Sequence, residues 1–84
     1  MKKLRLSIYS EQQVWLRERF INRRQELGLS QRALAEKMDV VYSLIGKIET
    51  GDRRLDVLEF IQYCQALELN PQKVIQDLEN LLNK

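Results

Sequence analysis

The side chains best suited to non-covalent chemistry lie together between residues 41 and 54. At a helical repeat, one face of this stretch consists of Val41, Tyr42, Ser43, Gly46 and Lys47. The hydroxyls can donate or accept hydrogen bonds, the ammonium group can pair with an anion, and the valine can pack on a methyl group. Arg53 and Arg54 follow and add two adjacent cations. These groups could bind a polar, negatively charged ligand, although charge alone favours side chains that are solvated and have no partner.

No group of residues indicates catalysis. The 84 residues contain no histidine and one cysteine, Cys64, so acid–base catalysis by histidine, metal sites built on histidine and an internal disulfide are excluded. No arrangement of nucleophile, base and metal ligands appears elsewhere. We therefore predict that the protein is not an enzyme and needs no cofactor or metal.

Two short helices joined by a tight turn must position the polar face. Ser30 can cap the first helix, Asp39 tolerates the left-handed conformation of the turn, and Gly51 can end the second helix. The inward positions are Leu34, Ala35 and Met38 in the first helix and Val40, Ile45 and Ile48 in the second. The small Ala35 at their contact predicts a steep crossing, as in a helix-turn-helix.

The run from Gly28 to Gly51, GLSQRALAEKMDVVYSLIGKIETG, resembles the helix-turn-helix of the XRE family, the Cro/cI-type repressors. The resemblance extends from about Leu16 to about Val74. It implies an all-α, five-helix lambda-repressor-like DNA-binding domain over residues 10–84, with its helix-turn-helix core at residues 30–50. It also implies a transcriptional regulator, here a repressor that binds a palindromic operator as a homodimer through the major groove.

The resemblance assigns roles to individual residues. The base-reading positions of the family correspond to Val41, Tyr42, Ser43, Gly46 and Lys47, although Lys47 could instead hold a phosphate. Phosphate contacts are expected at Gln31, which matches a family glutamine, and at Arg53 and Arg54. Ser30 is a further phosphate candidate, but its capping role already explains it.

Arg24 and Glu49 match positions that the family joins as a buried ion pair, so we assign them to structure. Three residues depart from the family pattern. Asp39 stands where glycine is usual, Val41 occupies the cap position without a hydroxyl, and Gly46 weakens the second helix.

Residues 1–9 lie outside the resemblance and form an N-terminal arm. Leu4, Leu6 and Ile8 alternate with polar residues, which predicts a β-strand that could pair with its copy in a second subunit. The alternative is a basic arm that contacts phosphate.

The remaining chain predicts three more helices. Ser10 opens a long first helix, Asp56 begins a capping box, and Asn70 precedes Pro71 at the start of the last helix. The last helix carries an apolar stripe of Val74, Ile75, Leu78, Leu81 and Leu82. We predict a dimer interface at four of these residues: Val74, Leu78, Leu81 and Leu82. The alternative is that the whole stripe packs into the core.

Two other functions fit the sequence less well. An antitoxin would bind DNA and also a toxin protein, for which the N-terminal arm could serve. A protein-interaction module would keep the fold without binding DNA, as the missing cap at Val41 and the weak helix at Gly46 would allow. No stretch is apolar enough for a membrane span, and we expect a cytoplasmic protein.

Overall fold

Five helices follow one another along the chain in the computed structural model, which describes residues 10–83. They are α1 (Glu11–Glu26), α2 (Gln31–Met38), α3 (Tyr42–Thr50), α4 (Val57–Ala66) and α5 (Pro71–Leu82). The predicted all-α, five-helix class is therefore confirmed. The strand or basic arm predicted for residues 1–9 lies outside the described residues.

Side-chain caps begin four of the helices where the sequence places them. The hydroxyl of Ser10 accepts from the first turn of α1, and that of Ser30 accepts from the backbone of Ala33 at 3.0 Å. Asp56 and Glu59 form a reciprocal capping box at α4, with distances of 2.8 and 3.0 Å. These bonds satisfy N–H groups that have no partner within their own helix.

The turn between α2 and α3 depends on Asp39, which ends α2 in the left-handed conformation at φ 58°. The conformation costs more for aspartate than for glycine, but a short polar side chain tolerates it. Gly51 ends α3 with φ 88°, a left-handed conformation that glycine adopts without strain. A Cβ at residue 51 would lie 2.8 Å from the guanidinium of Arg17.

Aromatic rings form the centre of the core. The Phe20 ring of α1 lies 4.7 Å from that of Tyr63 and 6.0 Å from that of Phe60, measured between centroids. Fully buried aliphatic side chains surround them and come from α2, α3 and the end of the chain: Leu34, Ile45, Leu67 and Val74. Burial of these groups supplies most of the driving force for folding.

One of the four residues of α5 predicted at a dimer interface, Val74, is fully buried in the core of the domain. Val74 has 0% exposure, so the prediction that it contacts a second subunit is wrong. Its neighbour Ile75 is 52% exposed instead. An ion pair between Arg19 of α1 and Asp77 of α5, at 2.9 Å, also joins the two helices.

Candidate nucleic-acid interface

Helix α3 presents opposite faces to the core and to solvent. Ile45 and Ile48 are buried, whereas Val41 is 70% and Tyr42 48% exposed. Ser43 and Lys47 are also exposed, and Gly46 is half-buried. The structure thus brings four of the five predicted base-reading side chains to one accessible surface, with the backbone of Gly46 between them.

The first turn of α3 has no side-chain cap. Val41 occupies the N-cap position in an extended conformation, and its side chain makes no hydrogen bond to the helix. The N–H groups at the start of an uncapped helix carry partial positive charge and can donate to an external acceptor. The exposed end of α3 therefore combines N–H groups that no side chain caps with the hydroxyls of Tyr42 and Ser43.

A cation that the sequence analysis did not assign lies beside this surface. The guanidinium of Arg32, in the first turn of α2, lies 4.6 Å from the centroid of the Tyr42 ring. Arg32 and Tyr42 stand on different helices, and their contact depends on the angle at which α2 and α3 cross. No local pattern in the sequence could have indicated it.

A buried network fixes the other end of α3. The guanidinium of Arg24 in α1 donates to both carboxylate oxygens of Glu49, at 2.7 and 3.1 Å. The same guanidinium donates to the carbonyl of Leu29 at 2.8 Å, and the amide of Gln31 donates to Glu49 at 2.9 Å. The side chains of Arg24 and Glu49 are only 12% and 6% exposed. The ion pair expected between them is present, and it ties α1, α2 and α3 together.

The surroundings of Arg24 in this network favour its charged form. The carboxylate of Glu49 accepts from Arg24 and raises the pKa of the guanidinium, although burial acts in the opposite direction. Gln31, which we expected to contact phosphate, donates one hydrogen of its side-chain amide to Glu49. The second hydrogen of that amide is available to donate to a phosphate.

The two adjacent arginines of the loop differ in their surroundings. Arg53 forms a two-bond ion pair with Glu59, with distances of 3.0 and 2.5 Å. These hydrogen bonds lower the pKa of the Glu59 carboxyl and raise that of Arg53. Arg54 is exposed. The charge of Arg53 is therefore largely balanced by Glu59, and Arg54 is the more exposed residue of the two.

Titratable groups in the core are inert. Burial raises the pKa of the Cys64 thiol to about 11 and raises the pKa of Tyr63 as well, with a further contribution from the charge of Glu49. The Tyr63 hydroxyl is buried and has no hydrogen-bond partner among the described residues.

Residues 10–83 contain no cluster of groups that could hold a metal ion. Within the same residues no helix is long and apolar enough to cross a bilayer.

An apolar groove of about 590 Å³ opens on a second surface, between α1, α4 and α5. Its apolar lining includes Leu16, Phe20, Phe60, Ile61, Ile75 and Leu78. Leu78 and Leu81 are half-buried and Leu82 is exposed. Three of the four residues predicted at a dimer interface thus keep accessible surface, and Ile75, which the sequence analysis did not select, extends it.

Comparison with known proteins supports the same architecture. A family model described as helix-turn-helix matches residues 21–74. The fold is similar to that of a solved XRE-family like protein from Pseudomonas syringae pv. tomato str. DC3000, with a TM-score of 0.80 and 28% sequence identity. The similarity covers 88% of this chain and 90% of that one. No curated protein matches the sequence significantly.

Proposed function

The chain belongs to the XRE-type helix-turn-helix family of DNA-binding regulators, and on that premise we propose that it is a repressor that binds a palindromic operator as a homodimer. The family is typically non-enzymatic. The observation that carries the proposal is the exposed face of α3, which holds hydrogen-bonding groups while the opposite face is buried.

Helix α3 would read bases by entering the major groove, which is wide enough for one α-helix. Val41 would pack on the methyl group of a thymine, and Tyr42 and Ser43 would exchange hydrogen bonds with base edges. Lys47 would either donate to a guanine or hold a phosphate. Gly46 would let the helix backbone approach the groove closely.

Phosphate contacts would fix the register of the protein on the duplex without reading its sequence. Arg54 is the first candidate because it is exposed and lies in the loop that follows α3. Gln31 would contribute its remaining amide hydrogen. Ser30 would contribute less, since its hydroxyl already caps α2, and Arg53 would act mainly by supporting the loop through Glu59.

The homodimer would form on the apolar surface of α5. Leu78, Leu81 and Leu82 keep accessible surface there, and Ile75 connects them with the neighbouring groove. Exposed apolar surface of this kind is typical of protein interfaces. A two-fold dimer would place its two α3 helices on half-sites about one helical turn, ~34 Å, apart.

Repression requires only that the operator be occupied, which a DNA-binding domain and its dimer contact can achieve alone. The predicted cytoplasmic location rests on this proposed target. The antitoxin alternative also stays a prediction, and it differs from repression by requiring a toxin protein as a second partner.

The test is selection of bound sequences from a pool of random duplexes, at two salt concentrations, with the mass of the complex measured by light scattering. We expect a palindromic site, two chains for each duplex, and an affinity that falls steeply with salt because bound phosphates release counterions. A folded protein that selects no sequence would contradict the proposal and favour the interaction module or the toxin partner.

A further inference from the structure

Arg32 contacts the ring of Tyr42 without an ion pair to a carboxylate among residues 10–83, whereas Arg19, which lies 5.4 Å from the centroid of the Trp15 ring, also pairs with Asp77. Four arginines pair with carboxylates on the protein surface or in its interior: Arg19, Arg23, Arg24 and Arg53. Arg32 has no ion-pair partner within residues 10–83 and lies over an aromatic ring instead, 4.6 Å from the centroid. No carboxylate among residues 10–83 therefore neutralises its positive charge.

The ring that it covers is otherwise weakly held. Tyr42 is the first residue of α3, follows the uncapped Val41, and is about half exposed. An exposed side chain exchanges between rotamers, and fixing it on binding costs conformational entropy. A guanidinium stacked on the ring favours one rotamer before DNA arrives.

We propose that Arg32 is a specificity-determining residue that positions Tyr42, so that the base preference at the half-site position read by Tyr42 depends on both side chains. The inference rests on the proposed DNA-binding function. It assigns to α2 a part in base discrimination, in addition to its support of α3 through Gln31 and Glu49.

The contact between cation and ring leaves hydrogen-bonding capacity on both groups. The guanidinium of Arg32 keeps N–H donors, and the Tyr42 hydroxyl can donate and accept. In a groove from which water is displaced, the attraction between cation and ring becomes stronger than it is on an exposed surface. The pair would therefore act as one unit on the DNA.

The experiment compares Arg32→Met, Tyr42→Leu and the double variant on the selected operator and on operators substituted at each half-site position. Arg32→Met keeps the apolar stem and removes the charge. We expect it to weaken discrimination at one position by about 2- to 5-fold, the size of a surface cation–π contact. Tyr42→Leu should weaken discrimination at the same position, and the double variant should lose no more than Tyr42→Leu alone.

Two controls separate positioning from charge. Lys37→Met removes one positive charge from the same helix, at a side chain that faces Glu68 at 3.6 Å, and should leave discrimination unchanged. Tyr42→Phe keeps the aromatic ring, so base discrimination in this variant should still depend on Arg32. If Arg32→Met instead weakens binding equally on all sequences, Arg32 is a phosphate contact and the inference is overturned.

A second readout does not depend on DNA. NMR couplings in the free protein should report one dominant χ1 rotamer for Tyr42 in the wild type and averaging in Arg32→Met. Equal averaging in both proteins would overturn the inference. If the wild type selects no operator while its Tyr42 rotamer still depends on Arg32, the proposed function fails and the positioning contact stands.

Discussion

The two ends of helix α3 are held by different means. At its start, Val41 and Tyr42 are exposed, no side chain caps the helix, and the cation of Arg32 covers one ring. At its end, Ile48 is buried, and Glu49 accepts hydrogen bonds from Arg24 and Gln31. Within one nine-residue helix, Tyr42 at the contact surface and Glu49 at the anchor are separated by about two turns.

This separation implies that the two ends can change independently. Residues more than about 7–10 Å apart that share no partner contribute nearly additively to stability. A substitution at the exposed end should alter binding with little loss of stability, and a substitution at the anchored end should do the reverse. Substitutions at each end test whether the two ends are independent.

The largest expected effect is on the anchor. Arg24→Met removes one partner of the pair and leaves the Glu49 carboxylate with few compensating groups in a mostly buried site. We expect the free energy of unfolding to fall by about 3 kcal/mol, the lower limit for breaking a buried pair, because part of the guanidinium is exposed. Urea unfolding followed by circular dichroism measures this loss.

The matched control is Arg53→Met, which breaks an ion pair that is more exposed and lies outside the anchor. Exposed pairs are screened by water and contribute little, so this variant should be clearly more stable than Arg24→Met. Equal losses in the two variants would contradict the assignment of Arg24 and Glu49 as the anchor.

At the start of α3 we expect a smaller change, which raises the free energy of unfolding. Val41→Ser supplies the hydroxyl that the N-cap lacks and should stabilise the protein by about 1 kcal/mol. The same change removes the methyl groups proposed to pack on thymine, so affinity for the selected operator should fall. Thermal unfolding measures the gain in stability, and a DNA titration of the same sample measures the loss of operator affinity. A loss of stability would show that Val41 supports the fold.

Gly46→Ala should stabilise α3 by roughly 0.5–1 kcal/mol because glycine is a weak helix former. The added Cβ would meet no atom closer than the Gln31 side-chain oxygen at 3.8 Å, an ordinary contact distance. Urea unfolding should detect the gain. DNA affinity should fall, because the methyl group separates the backbone from the groove, and unchanged affinity would exclude a close approach at Gly46.

The smallest effect concerns the pair of Arg53 and Glu59. Hydrogen bonds from Arg53 and from the backbone of Asp56 lower the pKa of Glu59 in the folded state below its ordinary value of 4.5. The pair therefore stabilises the fold above pH 4.5, and its contribution is lost as the pH falls through the lowered pKa. Glu59→Gln should show a weaker fall in unfolding free energy between pH 6 and pH 3 than the wild type. An identical fall in both proteins would contradict a stabilising role for this carboxylate.

The helices could be predicted from the sequence because their signals are local. Ser30, Asp56 and Asn70 each precede an apolar repeat, and each caps a helix in the structure. The ion pair of Arg24 and Glu49 joins residues 25 positions apart, and only the family resemblance indicated it. Local patterns therefore predict elements, whereas contacts between elements need a known relative or a structure.

The assignments that were incorrect or missing depend on how the helices are oriented relative to one another. Val74 and Ile75 are neighbours about 100° apart on α5, so the apolar stripe alone did not decide which one packs inward. The partners of Arg32 and Arg53 depend on how α2, α3 and the following loop are placed together. Each of these contacts is fixed by packing between elements and leaves no periodic trace in the sequence.

The most direct test of the central claim, that the exposed face of α3 reads DNA, compares Lys47→Ala with Lys37→Ala on the selected operator and on a scrambled duplex. Both variants lose one charge, but Lys47 lies on the exposed face of α3 and Lys37 on α2 near Glu68. If Lys47 donates to a base, Lys47→Ala should weaken operator binding by about 1–3 kcal/mol. If Lys47 holds a phosphate, the same change should reduce the slope of log affinity against log salt concentration by about one. Lys37→Ala should bind like the wild type in either case. Equal binding by the two variants, whether both are weakened or neither is, would contradict the claim.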